Sequence, residues 1–258
     1  MRRVVFNQKG GVGKSSITCN LAAISAAQGV PTLVVDLDPQ GNSTHYLMGQ
    51  PAQELDSSLF DFFEQSLTLG GGRKSIADLV YATPYKNLYV LAAHPELESL
   101  EAKLESRYKI YKLKEALQQL EETYPAIWID TPPALNFFTR SALIAAQKCL
   151  IPFDCDAFSR QALYSLNESV EELKLDHNEA LEIEGIVVNQ FNAQAKLPKQ
   201  LIDELLEEGH PVLPVHLTSS VKMRESHQVS KPLNHYAPKH KLTQQFEALF
   251  ELLNANAG

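Results

Sequence analysis

Cysteine is scarce in this sequence. Cys19, Cys149 and Cys155 are the only three in 258 residues, and they form no C-x-x-C pair. An odd number at such spacing argues against a disulfide framework or a zinc site and suits a reducing compartment. Long apolar runs are missing as well. Nothing approaches the ~20 residues that cross a bilayer. Arg2-Arg3 is followed by too few apolar residues before Asn7 to read as a signal peptide. Nor is there an excess of positive charge. A formal net charge of −8 argues against a wholesale nucleic-acid coat but leaves room for a local basic patch. The expectation is a cytoplasmic protein. A hydrophobic content of 44% with 21% charged residues is that of an ordinary globule able to bury a substantial core. No repeat or linker divides the chain, so one domain is expected over 1–258. The glycine-rich stretch Gly70-Gly71-Gly72-Arg73-Lys74 reads as a surface loop.

What the sequence does have is a regular alternation of β-rich apolar segments with helical ones. Strands are expected at 4–7, Thr32–Asp36, 88–92, Ala126–Asp130, 148–152, 186–189 and 212–215. Amphipathic stretches at 97–122, 160–175 and 199–208 read as helices, and a terminal helix is expected over about 241–254. Such alternation calls for an α/β fold, a mostly parallel twisted sheet with helices on both faces. Thr32-Leu33-Val34-Val35-Asp36 and Ala126-Ile127-Trp128-Ile129-Asp130 are apolar without alternation and end in an acid. That end is the edge where open α/β sheets bind ligands.

The most informative segment is Lys9-Gly10-Gly11-Val12-Gly13-Lys14-Ser15. It lies between a short apolar strand, Arg3-Val4-Val5-Phe6, and a helix-like run at 16–27, the setting a phosphate-binding loop requires. Glycines let backbone N–H groups close around a polyphosphate, and the helix N-terminus adds its positive dipole end. Lys14 is placed to reach the β- and γ-phosphates, and the Ser15 hydroxyl to bind Mg²⁺. The general pattern G-x-x-x-x-G-K-[ST] wants glycine where Gln8 stands, so the strict motif fails. A second lysine, Lys9, opens the loop instead.

That departure carries a resemblance. Asn7-Gln8-Lys9-Gly10-Gly11-Val12-Gly13-Lys14-Ser15 resembles the deviant Walker A motif of the ParA/MinD superfamily of P-loop ATPases. The resemblance implies ATP and Mg²⁺, with Lys9 through Ser16 around the phosphates. It also implies that Lys9 reaches across an ATP-dependent homodimer to the partner's nucleotide, where a second cation stabilises charge in the transition state. Asp36-Leu37-Asp38-Pro39-Gln40-Gly41-Asn42 resembles the family's D-x-D-P-Q-G-N switch I. Asp38 would orient or activate the attacking water, with Asp36 near the magnesium shell. Ile127-Trp128-Ile129-Asp130-Thr131-Pro132-Pro133 resembles Walker B followed by switch II, so Asp130 would hold Mg²⁺ through water. Asn189 matches a position where the family's asparagine contacts adenine, and reads equally as a turn residue.

Absences sort the relatives. Thr131 to Arg140 contains no cysteine, unlike nitrogenase iron proteins. There is no C-terminal C-x-x-C of the iron–sulfur carriers, no second phosphate loop and no tyrosine-rich tail. Leu242, Phe246, Leu249, Phe250 and Leu253 make an apolar face, but no lysine or arginine follows Lys241. Such a helix suits core packing better than an anionic membrane. The helix-turn-helix arm of some plasmid relatives is not expected either, because the loop begins at Lys9. A strip of Lys222, Arg224 and Lys231 resembles the family segment V-R-L-S-E-A-P-S-F-G-K-P, whose arginine lies on a DNA face. Lys103, Arg107, Lys109, Lys112 and Lys114 form a second basic cluster. The implied function is a dimerising switch ATPase that binds DNA nonspecifically in its ATP state. It would partition or position a plasmid, chromosome or protein cargo, under a ParB-like or adaptor partner that stimulates hydrolysis. Two alternatives remain, a MinD-like membrane-associated regulator and a P-loop synthase of the dethiobiotin or cobyrinate type.

Overall fold

The computed structural model describes residues 1–68, 74–156 and 159–255. Residues 70–73 of the glycine-rich stretch lie outside them. In chain order the elements are β1 (Arg2–Val5), α1 (Lys14–Ala27), β2 (Thr32–Asp36), α2 (Asn42–Met48), α3 (Leu59–Leu67), β3 (Val80–Ala82) and β4 (Leu88–Leu91). They continue with α4 (Leu97–Ser106), α5 (Lys112–Leu120), β5 (Ala126–Asp130), α6 (Phe137–Ala145), β6 (Lys148–Asp154) and α7 (Ser159–His177). The last are β7 (Glu182–Asn189), α8 (Lys196–Glu207), α9 (Val221–Gln228), α10 (Leu233–Tyr236) and α11 (Lys241–Ala255).

The strands form one sheet in the order β3-β4-β2-β5-β1-β6-β7. Every neighbouring pair is parallel except β3–β4 at the edge. Successive side chains on a strand point to opposite faces, so an uninterrupted apolar strand feeds two cores at once. Val4, Leu33, Val35, Ile127, Ile129 and Ile151 belong to one core, under α3 to α8. Val5, Val34, Trp128, Leu150 and Val187 belong to the other, under α1, α2, α10 and α11. The apolar face of α11, from Leu242 to Leu253, is buried in this second core. Among the described residues no helix is long and apolar enough to cross a membrane.

The structure departs from the sequence reading in three places. The expected strand at 212–215 is a single bridge from Val212 to Ile186 of β7. Pro211 and Pro214 lack the N–H groups a ladder needs. The segment still packs tightly, since a Cβ on Gly185 would lie 2.5 Å from Leu213 Cγ. The expected helix at 97–122 is two helices. Tyr108 takes the left-handed region at φ 54°, Tyr108 N–H donates to Glu105 O at 2.9 Å, and Lys109 N–H donates to Leu104 O at 3.0 Å. That is a Schellman stop with tyrosine in the place glycine usually takes. The short antiparallel β3 was not expected, because Val80-Tyr81-Ala82 carries no strong strand pattern.

Candidate functional site

The C-terminal ends of the central strands place the expected motifs side by side. β1 runs into the loop at 7–13, and α1 begins at Lys14. Gly13 takes φ 95°, and a Cβ there would come within 2.2 Å of Asn189 Nδ2, so both conformation and space demand glycine. The loop is tied to three neighbouring strands. Thr131 Oγ1 donates to Val5 O at 2.8 Å, Asn7 Nδ2 to Pro152 O at 2.7 Å and Asn189 Nδ2 to Val12 O at 2.8 Å. Gln190 Nε2 adds a bond to Gly11 O at 2.9 Å. No side chain caps the N-terminus of α1, and its first turn holds no acid. Its first N–H groups and the positive end of its dipole are thus free for an anion.

Lys14 is buried and folds back over the loop, donating to Lys9 O at 2.9 Å. Burial lowers its pKa, and Asp130 and Asp38 oppose that shift. Asp130 ends β5 directly beside Asp36, which ends β2. Both are fully buried. Ser43 donates to the Asp130 carboxylate at 2.7 Å, and the nearby Ser15 hydroxyl also favours its charged form. Burial nevertheless pushes its pKa up to about 6. Asp36 is raised as well, by burial and then by Asp130. Its carboxylate accepts from Thr44 N–H at 2.7 Å, from Thr44 Oγ1 at 2.8 Å and from Asp38 N–H at 3.2 Å. Asp36 therefore fastens the 38–44 segment from beneath. Asp38 is 6% exposed and accepts from Gln40 N–H at 3.0 Å. Burial raises its pKa, while Lys14 pulls it down.

Lys14, Ser15, Asp38 and Pro133 line a cleft of about 520 Å³ over the loop. A smaller cavity of about 250 Å³ continues it toward Asn189 and Thr218, sharing Gly11, Gly13 and Ser16. The larger cleft presents the Ser15 and Ser16 hydroxyls, the Asp38 carboxylate and the Lys14 ammonium beside a helix N-terminus, with the fully buried Asp130 close by. That donor set fits a polyphosphate with a hard divalent cation, which takes oxygen ligands such as Ser15 and Asp130. The cation would also relieve the mutual repulsion of the buried acids.

Lys9 points elsewhere. Its ammonium is ion-paired with Asp154 at 2.6 Å and with Asp156. Burial works against that charge, but the hydrogen bonds it donates to the two carboxylates outweigh it and raise the pKa. The basic strip is not one surface. Lys222 bonds Glu225 at 2.7 Å and lies 5.7 Å from the Tyr236 ring centroid. Arg224 lines the smaller cavity, and Lys231 is exposed just past α9. In the second cluster Lys112 pairs with Glu115, and Arg107 donates to Leu67 O. Ser43 and Thr44 went unread in the sequence, although two hydroxyls directly after Asn42 were the available signal. His227, 3.1 Å from the Ser16 hydroxyl, gave no signal, because only the fold brings α9 over α1.

A family model described as an AAA domain matches residues 3–183. The chain is similar to the chromosome partitioning protein ParA of Myxococcus xanthus, 31% identical over 95% of this chain and 84% of that protein. It is also similar to the sporulation initiation inhibitor protein Soj of Bacillus subtilis, 30% identical over 98% and 97%. Cobyrinic acid a,c-diamide synthase from Mycobacterium smegmatis, solved with an ATP analogue and magnesium, shares the fold. Its TM-score is 0.84 at 23% identity, over 97% of this chain and 92% of that one. With the lysine-opened loop and the paired strand-end acids, these relationships settle the family: the chain belongs to the ParA/MinD superfamily of P-loop ATPases.

Proposed function

We propose that this protein is a Mg²⁺·ATP-dependent switch ATPase that partitions or positions a cargo. The observation that carries this reading is the loop itself, with Lys14 turned into the acid-lined cleft and Lys9 at the loop's opening. In this reading Lys14 and the backbone N–H groups of Gly10 through Ser15 bind the β- and γ-phosphates. Ser15 and Asp130 hold Mg²⁺, which supplies positive charge at the phosphate oxygens when bound. Asp36 fixes the 38–44 segment so that Asp38 faces the attacking water. Asn189 braces the loop and borders the cavity that receives the base.

Lys9 acts in the homodimer, reaching the partner's nucleotide. Lys222, Arg224 and Lys231 supply charges for nonspecific DNA contact in the ATP state, on a nucleoid within the cytoplasm. A ParB-like or adaptor protein stimulates hydrolysis. ParA and Soj relatives at 30–31% identity support the partition reading. A synthase reading draws on the shared fold of the M. smegmatis enzyme and requires a small carboxylate substrate for turnover.

DNA affinity of the full-length protein, measured against salt with ATP, with ADP and without nucleotide, tests the proposal. Binding is expected only with ATP, equally on unrelated sequences. Replacing Lys222 and Lys231 by alanine should lower the salt slope by about one unit per lost contact. ATP-independent binding, or ATP turnover only with an added carboxylate, would contradict it.

A further inference from the structure

Helix α9 lies against α1 and α2 and sends two polar side chains over the phosphate loop. His227 Nε2 is 3.1 Å from Ser16 Oγ. Its ring packs on Tyr46 with centroids 4.4 Å apart, and it lines the larger cleft with Ser16, Lys14 and Asp38. Arg224, one turn earlier, lines the smaller cavity with Gly11, Gly13 and Ser16. Among the described residues its guanidinium makes no ion pair. The two cavities share the loop and Ser16, so α9 contributes a side chain to each half of one groove.

The helix is held in that place. Buried Ser226 shares a hydrogen bond with the Tyr46 hydroxyl at 2.9 Å. Asn20 Nδ2 reaches the same hydroxyl at 3.4 Å, and Asn20 Oδ1 accepts from Leu233 N–H at 2.8 Å. The elements that carry the loop and the switch segment thus fix α9 as well.

We propose that Arg224 and His227 bind the nucleotide from the side opposite the loop. His227 meets the α-phosphate beside Ser16, and Arg224 meets the same phosphate from the base side. Ser16 stands just past Lys14 and Ser15, which serve the β- and γ-phosphates, and it borders the cavity that leads to Asn189. A group bridging Ser16 and the two α9 side chains is therefore the first phosphate after the sugar. A guanidinium suits phosphate through its planar fork, and an imidazole N–H adds a directed donor. The inference rests on the nucleotide reading above. It removes Arg224 from the DNA strip and leaves Lys222 and Lys231.

Calorimetric titration of the full-length protein with ADP and with ATP tests it, comparing wild type, R224A, H227A, H227Q and K14A. The melting temperature of each chain without nucleotide serves as the fold control. R224A and H227A should each weaken both nucleotides alike, by about tenfold, the usual worth of a hydrogen bond to a charged group. H227Q should keep most of the affinity, because its amide reaches the place of Nε2. Arg224 is exposed, so R224A remains decisive even if H227A loosens α9.

Loss confined to ATP would move the contact to the γ-phosphate and overturn the assignment. So would unchanged affinities in R224A and H227A with binding still abolished in K14A, an outcome that leaves the nucleotide reading standing. If R224A alters only DNA binding, Arg224 belongs to the strip after all and the inference fails. Equal, negligible binding by wild type and K14A would overturn the nucleotide reading itself.

Discussion

A carboxyl group buried at a strand tip, as Asp130 is, binds its proton more readily in the folded chain than in the unfolded one. Its pKa of about 6 lies above the unfolded value near 4. Without metal, the folded state therefore loses stability as pH rises from about 4 through about 6, and the loss is absent below that window. Asp130→Asn removes the charge but keeps an acceptor for Ser43. Near neutral pH it should stabilise the metal-free chain by roughly 1–3 kcal/mol while ending Mg²⁺-dependent turnover. Urea denaturation at pH 5 and pH 7.5 checks this, since the gain should be about half as large at the lower pH. A gain of equal size at both would mean that the charge is not its source. Asp38 differs in kind. Its exposed edge faces the cleft, so Asp38→Ala should bind ATP normally and hydrolyse it poorly, as measured by phosphate release. Asp36 was read as a neighbour of the metal. Its bonds to Thr44 could not be read from the chain, because a hydroxyl partner eight residues away depends on how the turn closes.

The loop, β2 and β5 were legible because each joins a strong local pattern to a motif at its end. The break between α4 and α5 was not. Apolar residues keep helical spacing through 97–120, and a tyrosine gives no warning of a left-handed stop. That stop is strained, since Cβ crowds the following carbonyl at positive φ. The Tyr108 side chain is 89% exposed, so little packing opposes its removal. Tyr108→Gly should accordingly raise stability by about 0.5–1 kcal/mol, read as a shift of the denaturation midpoint at constant slope. Loss of stability would mean that the ring makes contacts outweighing the strain. The segment at 212–215 shows the opposite failure. Its apolar residues suggested a strand, and two prolines reduced it to one bridge beside β7.

Taken as a whole, the chain displays its nucleotide machinery on one edge of the sheet and keeps Lys9 occupied within its own fold. The ion pairs to Asp154 and Asp156 hold that lysine at the end of β6. To serve a partner's nucleotide, Lys9 must exchange two carboxylates for a triphosphate. Asp154→Asn with Asp156→Asn should lower the ATP concentration needed for dimerisation several-fold, by analytical ultracentrifugation. An unchanged requirement would show that the pairs do not restrain it. The sequence could mark Lys9 by resemblance alone. Its partners lie some 145 residues away, joined only because β1 and β6 are neighbours in the sheet. The dispersal of Lys222 and Arg224 was equally hidden, because one helix directs adjacent side chains to different surroundings.

The central claim is that the two lysines of one loop act on two different nucleotides. Light scattering with ATP and Mg²⁺, together with nucleotide affinity, on wild type, Lys9→Ala and Lys14→Ala tests it directly. Wild type should become a dimer. Lys14→Ala should lose nucleotide binding and remain a monomer, whereas Lys9→Ala should bind ATP with near-normal affinity and still remain a monomer. A Lys9→Ala chain that dimerises and hydrolyses ATP like wild type would contradict the account.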